Sequence, residues 1–470
     1  MSDMAKDVKF SLKVVINKQK TKVLFAEIDS DLADVLFSFL TLPLGNIVRI
    51  LKKHYRDEAP VFGSITTLYD GLSNLDSSYF WTEGGKQMLL NPVSSFIDEC
   101  LKLKLDIGDN QPIKYFTCEN LNCAYTRSTN LGIYFDTVRC NCGKQLKKEI
   151  PVRNVSNAVD GEAFTIKTAN FIISDDLQIL PNATASFRHI VNDVGLIDID
   201  GTEMRNLTFG FNEIMDLLKH SLFSPTPLTN LVLKNQIKSE PSVSTHHIGK
   251  IATVNSVRKL KLIFQKSTNK FLFAEAEESF VEFLFGFLVI SLGGVERLLG
   301  NDTYLKNINN LYRSAAYVID AKYLRTHKKS RLFSPTIPYG YLSQNWIFSL
   351  TEEGAPKQYY SKNNTENEEC LHNVYRAKKE MCTFKSPKGQ LNYMKEPRMY
   401  MVKDDLTVTP LCMNMYLNTL NELKVSYSDI DEMVLNIGLK EVIAVFKHIE
   451  GISFIDICIN HWFKSLDKQQ

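Results

Sequence analysis

One stretch of this chain occurs twice. Residues 12–51 read LKVVINKQKTKVLFAEIDSDLADVLFSFLTLPLGNIVRIL, and residues 260–299 read LKLIFQKSTNKFLFAEAEESFVEFLFGFLVISLGGVERLL. Laid over each other without a gap, roughly sixteen of about forty positions are identical, far beyond chance for an internal match. Each copy reads as a strand, a polar turn, a second strand ending in Phe-Ala-Glu, and an apolar helix closed by Leu-Gly. A chain that repeats such a unit is confined to an α+β architecture built twice.

The match extends well beyond this stretch. Asp175-Asp176-Leu177 with Pro181 corresponds to Asp404-Asp405-Leu406 with Pro410. LTFGFNEIMDLLKH, ending at His220, corresponds to LNIGLKEVIAVFKH, ending at His448. We therefore read two tandem, divergent copies of one domain: 8–233, a polar linker at 234–255, and a degenerate second copy at 256–466. The full length of 470 residues is also too great for one ordinary core.

Within the first copy, strands are expected at Phe10 to Ile16 and Lys22 to Ile28. A helix follows, with Asp31 as its N-cap and Leu32, Val35, Leu36, Phe39 and Leu40 on one face. Phe37 lies off that stripe, so the helix is apolar almost all round and belongs in the interior. A pseudo-symmetric pairing of the two such helices would account for this. Pro43 ends or kinks the helix, and Gly45 allows the turn that follows. Residues 61–105 read as mixed helix and loop, and 114–150 as strand-rich. Phe164 to Leu180 reads as strand closed by Pro181, with helices at Ala183 to Asp193 and Thr208 to His220 and an apolar segment at Leu228 to Leu233.

These segments resemble a plant family catalogued as domain of unknown function 674. The matching features are the opening SLK, the KVLFAE strand, the apolar helix into LTLPLG, the FWTEGGKQMLLNP segment and the DDL-x-x-x-P strand end. The resemblance covers almost the whole chain, in both copies. It implies repeats of one domain and carries no activity with it. The second copy departs from the pattern, with Ser291 in place of Pro43 and most of its cysteines lost.

Composition narrows the functional classes. At 44% hydrophobic and 23% charged, the chain belongs with folded proteins, and a net charge of +2 supplies no global pull toward nucleic acid or acidic membranes. The segment MSDMAKDVKF has no apolar h-region, so no secretory leader is expected. The apolar uncharged runs Val35 to Val48 and Phe283 to Val295 fall short of the ~18 residues a membrane span needs. Nine cysteines in that context are expected as reduced thiols or metal ligands, in cytoplasm or nucleus.

The strongest chemical signal is Cys118-x4-Cys123 followed by Cys140-Asn-Cys142-Gly143. Two close cysteine pairs separated by a strand-length segment suit a tetrahedral, structural zinc (Zn2+) site between two tight turns. Gly143 suits the turn that aims backbone amides at thiolate sulfur, and Lys144, Lys147 and Lys148 would offset the charge of four thiolates. In the second copy Lys362 stands where Cys118 would be, and only Cys370, His372 and Cys382 remain, a degenerate version expected to be metal-free. Cys100, Cys412 and Cys458, in apolar surroundings, are expected in the core.

Other constellations have plainer readings beside the chemical one. Lys114, Arg127, Arg139, Lys144, Lys147, Lys148 and Arg153, interleaved with aromatics such as Tyr115, Tyr125 and Phe135, have the composition of a single-strand nucleic-acid binder, or of a solvated basic face. Gly195 to Thr202 places Asp198 and Asp200 as in the nucleophile motif of a phosphatase. The second copy has Tyr427 at the nucleophile position, which favours a turn with a helix cap. Glu27 and Glu275, and Glu213–His220 matched by Glu441–His448, read as structural, as does His246-His247 in the linker. No complete catalytic motif is present. The expected function is a non-enzymatic, zinc-stabilised interaction or adaptor protein with a protein partner and no small-molecule substrate. A hydrolase using Asp198 and Asp200, and nucleic-acid binding through the basic segment, are the alternatives.

Overall fold

The computed structural model of the chain describes residues 8–120, 123, 130–152, 163–183, 186, 201–234, 258–300, 305–320, 323–324, 329–362, 369–372 and 380–437. The proposed linker, apart from Lys234, lies outside these residues, as do 187–200, with most of the helix expected from Ala183 to Asp193, and everything beyond Ile437.

Period-two alternation builds the first sheet. In β1 (Phe10–Ile16) Phe10, Leu12 and Val14 are buried and alternate with exposed Ser11 and Lys13. β1 pairs with β2 (Val23–Asp29) on one side and with β8 (Glu203–Phe209) on the other. β6 (Asn170–Ser174) and β7 (Ile179–Pro181) complete an antiparallel sheet in the order β7-β6-β2-β1-β8. The second sheet has β9 (Arg258–Gln265), β10 (Lys270–Glu277), β15 (Met399–Val402), β16 (Val408–Pro410) and β17 (Ile430–Ile437) in the order β16-β15-β10-β9-β17. Position for position this is the same topology. The expected single strand from Phe164 to Leu180 is instead a β6–β7 hairpin, because Leu177 turns at φ 64, as Leu406 does at φ 62 between β15 and β16. Thr208, expected in a helix, belongs to β8, and the helix Phe211–Phe223 starts after Gly210.

The apolar helices meet within one hydrophobic core. α1 (Ser30–Ser38) is capped by Asp29, two residues before the expected cap, whose carboxylate accepts from the Leu32 amide. A short 3-10 turn follows, Pro43 breaks the path, and α2 (Leu44–Tyr55) begins. The other half repeats this with Glu278–Gly286 and Leu292–Leu299. Matched residues then face each other. Pro43 and Ser291 form a bridge, the Leu44 amide donates to Ile290 O at 2.9 Å, and the Leu292 amide donates to Leu42 O at 3.0 Å. The shared Leu-Gly is explained here rather than by a turn. A Cβ on Gly45 would lie 3.1 Å from Leu288 O, and one on Gly293 would lie 3.1 Å from Leu40 O. Phe37 and Phe285, both wholly buried, belong to one hydrophobic core that runs through both halves.

The halves also exchange helices. α3 (Gly63–Asn74) packs against β16 of the second sheet, where Thr67 Oγ1 donates to Asp405 O and Gly71 closes on the Val408 backbone. The helix Lys306–Asp320 packs against β7 of the first sheet, where Asn310 donates to Asp176 O and Ser314 Oγ accepts from the Ile179 amide. Bridges repeat the exchange at Phe80–Met394 and at Thr165–Leu324.

One buried carboxylate stands beside each of these last two bridges, bonded within its own half. Asp34 accepts from the amides of Phe164 (3.2 Å) and Thr165 (2.7 Å), and Glu282 accepts from those of Tyr393 (3.0 Å) and Met394 (3.4 Å). Both carboxylates stand on otherwise apolar helices, α1 and Glu278–Gly286. Burial pushes the Asp34 carboxyl up to about 6, against the pull of these donors, and pushes Glu282 up as well.

Candidate metal centre

β3 (Tyr115–Thr117), β4 (Asn130–Ile133) and β5 (Lys148–Glu149) form a small ribbon with β3 in the middle. Cys118 leaves the end of β3 and is buried. Cys123 lies beyond Asn120, whose carbonyl accepts from the Cys123 amide at 2.9 Å. Cys140 and Cys142 sit at the tip of a hairpin closed by Leu146 N to Val138 O (2.8 Å) and Cys140 N to Lys144 O (2.8 Å). The tip turns through Gly143 at φ 85, a conformation open to glycine without strain.

The ribbon and the hairpin bring the four sulfurs together. All four Sγ atoms lie within 4.8 Å of one another, and Cys118 Sγ is 3.6 Å from Cys142 Sγ. Among the described residues this is the grouping of potential ligands compatible with a metal ion. Backbone amides reach the sulfurs from both turns. The Lys144 amide, followed by the Cys123 thiol, pulls the Cys142 thiol down to about 7. Burial raises Cys118 while the Asn120 amide opposes the rise, and Cys123 is pushed up to about 12, first by its hydrogen bond to Cys142. Phe116, Val138 and Leu146 form the apolar floor, and exposed Lys144 and Lys147 flank the tip.

The opposite face of the ribbon meets the second half. There β11 (Tyr359–Lys362), β12 (Glu369–His372) and β13 (Glu380–Met381) form a matching ribbon in the order β12-β11-β13, and β14 (Thr383–Lys385) crosses to pair in parallel with β4. Lys362 pairs with Glu369 in this ribbon, and Cys370 and His372 lie on β12, their side chains outside the described set. Cys382 is buried in the apolar seam between the ribbons.

The remaining sequence candidates separate clearly. Cys100 is core, beside Thr41 Oγ1 at 3.6 Å, and burial pushes its thiol up to about 12. Cys412, expected in the core, is exposed. It opens the helix Met413–Leu423, and its apolar neighbour Met413 is itself 72% exposed, so local apolarity did not report burial there. Cys458, His246-His247, Asp198, Asp200, Glu441 and His448 lie outside the described residues, as do Tyr125, Arg127 and Arg153. Asp429, matched to Asp200, staples a turn by accepting from Gln265 and from the amide and hydroxyl of Ser267. Glu213 accepts from the Gly210 amide at 2.8 Å and caps its own helix, and burial lowers His220 on the same helix. Glu27 and Glu275 pair with Lys13 (3.7 Å) and Lys261 (3.3 Å) on their sheets. No helix among the described residues is long and apolar enough to cross a membrane. Sequence reading passed over Asp34 and Glu282, although an acidic residue at the same place in two apolar helices was the available signal.

A family model described as "Protein of unknown function (DUF674)" matches residues 6–440, which takes in both sheets and the cysteine ribbon. The chain belongs to the DUF674 family. No curated protein and no solved structure matches it. For this DUF674 protein, function has to be argued from the cysteine centre and its surroundings.

Proposed function

We propose that this DUF674 protein is a non-enzymatic interaction protein made of two divergent copies of one α+β unit, the first holding a structural zinc ion in a ribbon-like insertion. The observation that carries this reading is the sulfur geometry. Four thiolates at a zinc–sulfur distance of about 2.3 Å sit about 3.8 Å apart in a tetrahedron, close to the 3.6 Å between Cys118 and Cys142. Cys118, Cys123, Cys140 and Cys142 would fill all four positions, leaving none for a substrate. Thiolate ligands require a reducing compartment, so the protein is assigned to cytoplasm or nucleus. The described carboxylates singled out from the repeat have structural roles: Glu213 caps its helix, Asp429 staples a turn, and Glu27 and Glu275 pair with lysines.

The test is elemental analysis of protein purified under reducing conditions, beside a Cys140→Ser/Cys142→Ser double variant. About one zinc per chain, absent from the variant, is the expected result. A metal-free wild type would sink the assignment.

A second reading, binding of single-stranded nucleic acid, draws on the exposed Arg139, Lys144 and Lys147 on one hairpin. Retention on single strands that falls steeply with salt would favour it. A four-thiolate zinc is itself dianionic, and these cations then serve first to offset it.

A further inference from the structure

The metal ribbon is a sheet with two working faces. Its strands of three, four and two residues are too short to hold together unaided. On one face, Phe116, Val138 and Leu146 pack with Cys118, Cys123 and Cys140. On the other, Tyr115, Leu131, Ile133 and Ile150 pack with Leu371, Cys382 and Phe384 of the second half. The seam is also hydrogen-bonded. β14 runs parallel to β4 with Phe384 opposite Leu131, and the Leu371 amide donates to Pro151 O at 3.1 Å. Lys385 Nζ donates at 2.9 Å to Oδ1 of Asn141, the residue between Cys140 and Cys142. The second ribbon, with strands of four, four and two residues, has lost Cys118 to Lys362.

We infer that one metal centre orders both ribbons: the ion at the four cysteines sets the first ribbon, and the second is held by docking against its far face, so that losing the metal releases the seam between the halves. This rests on the zinc reading above. A metal that binds only the folded ribbon stabilises whatever that ribbon supports. Coupling of this kind is reciprocal, so damage to the seam weakens the metal site in turn.

The experiment is hydrogen exchange on the full-length, zinc-loaded chain before and after removal of the metal with EDTA. The amides of Leu371 and Cys382 are expected to exchange about tenfold faster or more after chelation, while Val14 and Leu262 in the five-stranded sheets stay unchanged. Zinc released, residues 115–117 deprotected and Leu371 and Cys382 still protected would overturn the inference and leave the zinc reading standing. A chain purified without metal would overturn both. Should chelation unfold the whole molecule, the Phe384→Ala variant decides. It touches no ligand, and it is expected to give up zinc to a chromophoric chelator at least about fivefold faster than the parent. An unchanged release rate would overturn the coupling.

Discussion

The two ribbons share a strand order and differ in what holds them. The first, centred on β3, carries four cysteines whose sulfurs converge, and the second, centred on β11, has Lys362 where that set begins. The seam between them is nearly symmetric. β14 crosses to β4, and Val152 crosses to Leu371, both in parallel. Ile150 and Cys382, each directly past the last strand of its ribbon, lie buried in one apolar cluster. The two ribbons share strand order and differ in side-chain chemistry. A ribbon this small needs either a metal or a neighbour, and in this molecule one ribbon has the residues for the first and both supply the second.

Cysteine variants break this comparison most forcefully. Cys140→Ser/Cys142→Ser is expected to abolish metal binding and unfold the first ribbon, since zinc contributes on the order of 10 kcal/mol to small domains that depend on it. Cys382→Ser should keep the metal and cost about 1–3 kcal/mol for a buried hydroxyl. Metal analysis and thermal melting read both, and loss of zinc in Cys382→Ser would erase the distinction between the ribbons.

The central helices sharpen the comparison from the symmetric side. Phe37→Ala and Phe285→Ala, at matched and wholly buried positions, should each cost about 3–5 kcal/mol in urea unfolding. Both should shift one cooperative transition, because the core is shared. Two separate transitions, one per variant, would argue for halves that fold alone.

Smaller effects are expected at the matched carboxylates. Asp34→Ala and Glu282→Ala each remove an acceptor of two backbone amides, at about 1–3 kcal/mol. Asp34 also gives a pH signature. Its folded carboxyl lies raised at about 6, so its contribution is fully present below the ordinary carboxylate range and is lost as pH rises through about 6. Asp34→Asn should flatten the stability profile in that window, and a profile unchanged by the substitution would contradict the shift. The smallest effect is expected on the sheet surfaces. Glu27→Gln should change stability by about 1 kcal/mol or less, because Glu27 faces a water-exposed lysine, whereas Glu275→Gln should cost more, because Glu275 and Lys261 are half-buried.

Much of this was legible along the chain, for local reasons. The repeated alternation at 12–28 and 260–276 specified paired strands, the all-round apolarity of α1 specified burial, and Pro43 specified the break. The cysteine spacing identified the four side chains that converge. Errors fell where a single backbone angle or a distant contact decides. The hairpin at Leu177 depends on one positive φ in a residue that gives no glycine signal. Cys412 looked buried because its neighbours are apolar, and its neighbour Met413 is exposed.

By itself the sequence determined the kinds of element, their order and the thiol set. Periodicity and spacing are properties of neighbouring residues, and hydrogen bonding within a helix or hairpin is satisfied locally. Only the tertiary structure decided which sheet each helix covers. An apolar stripe states that a face must be buried, and any apolar surface would satisfy it. The choice here rests on contacts between residues far apart in the chain: Thr67 with Asp405, Asn310 with Asp176, and Gly45 against Leu288. The exchange of helices and the shared core arise from that choice.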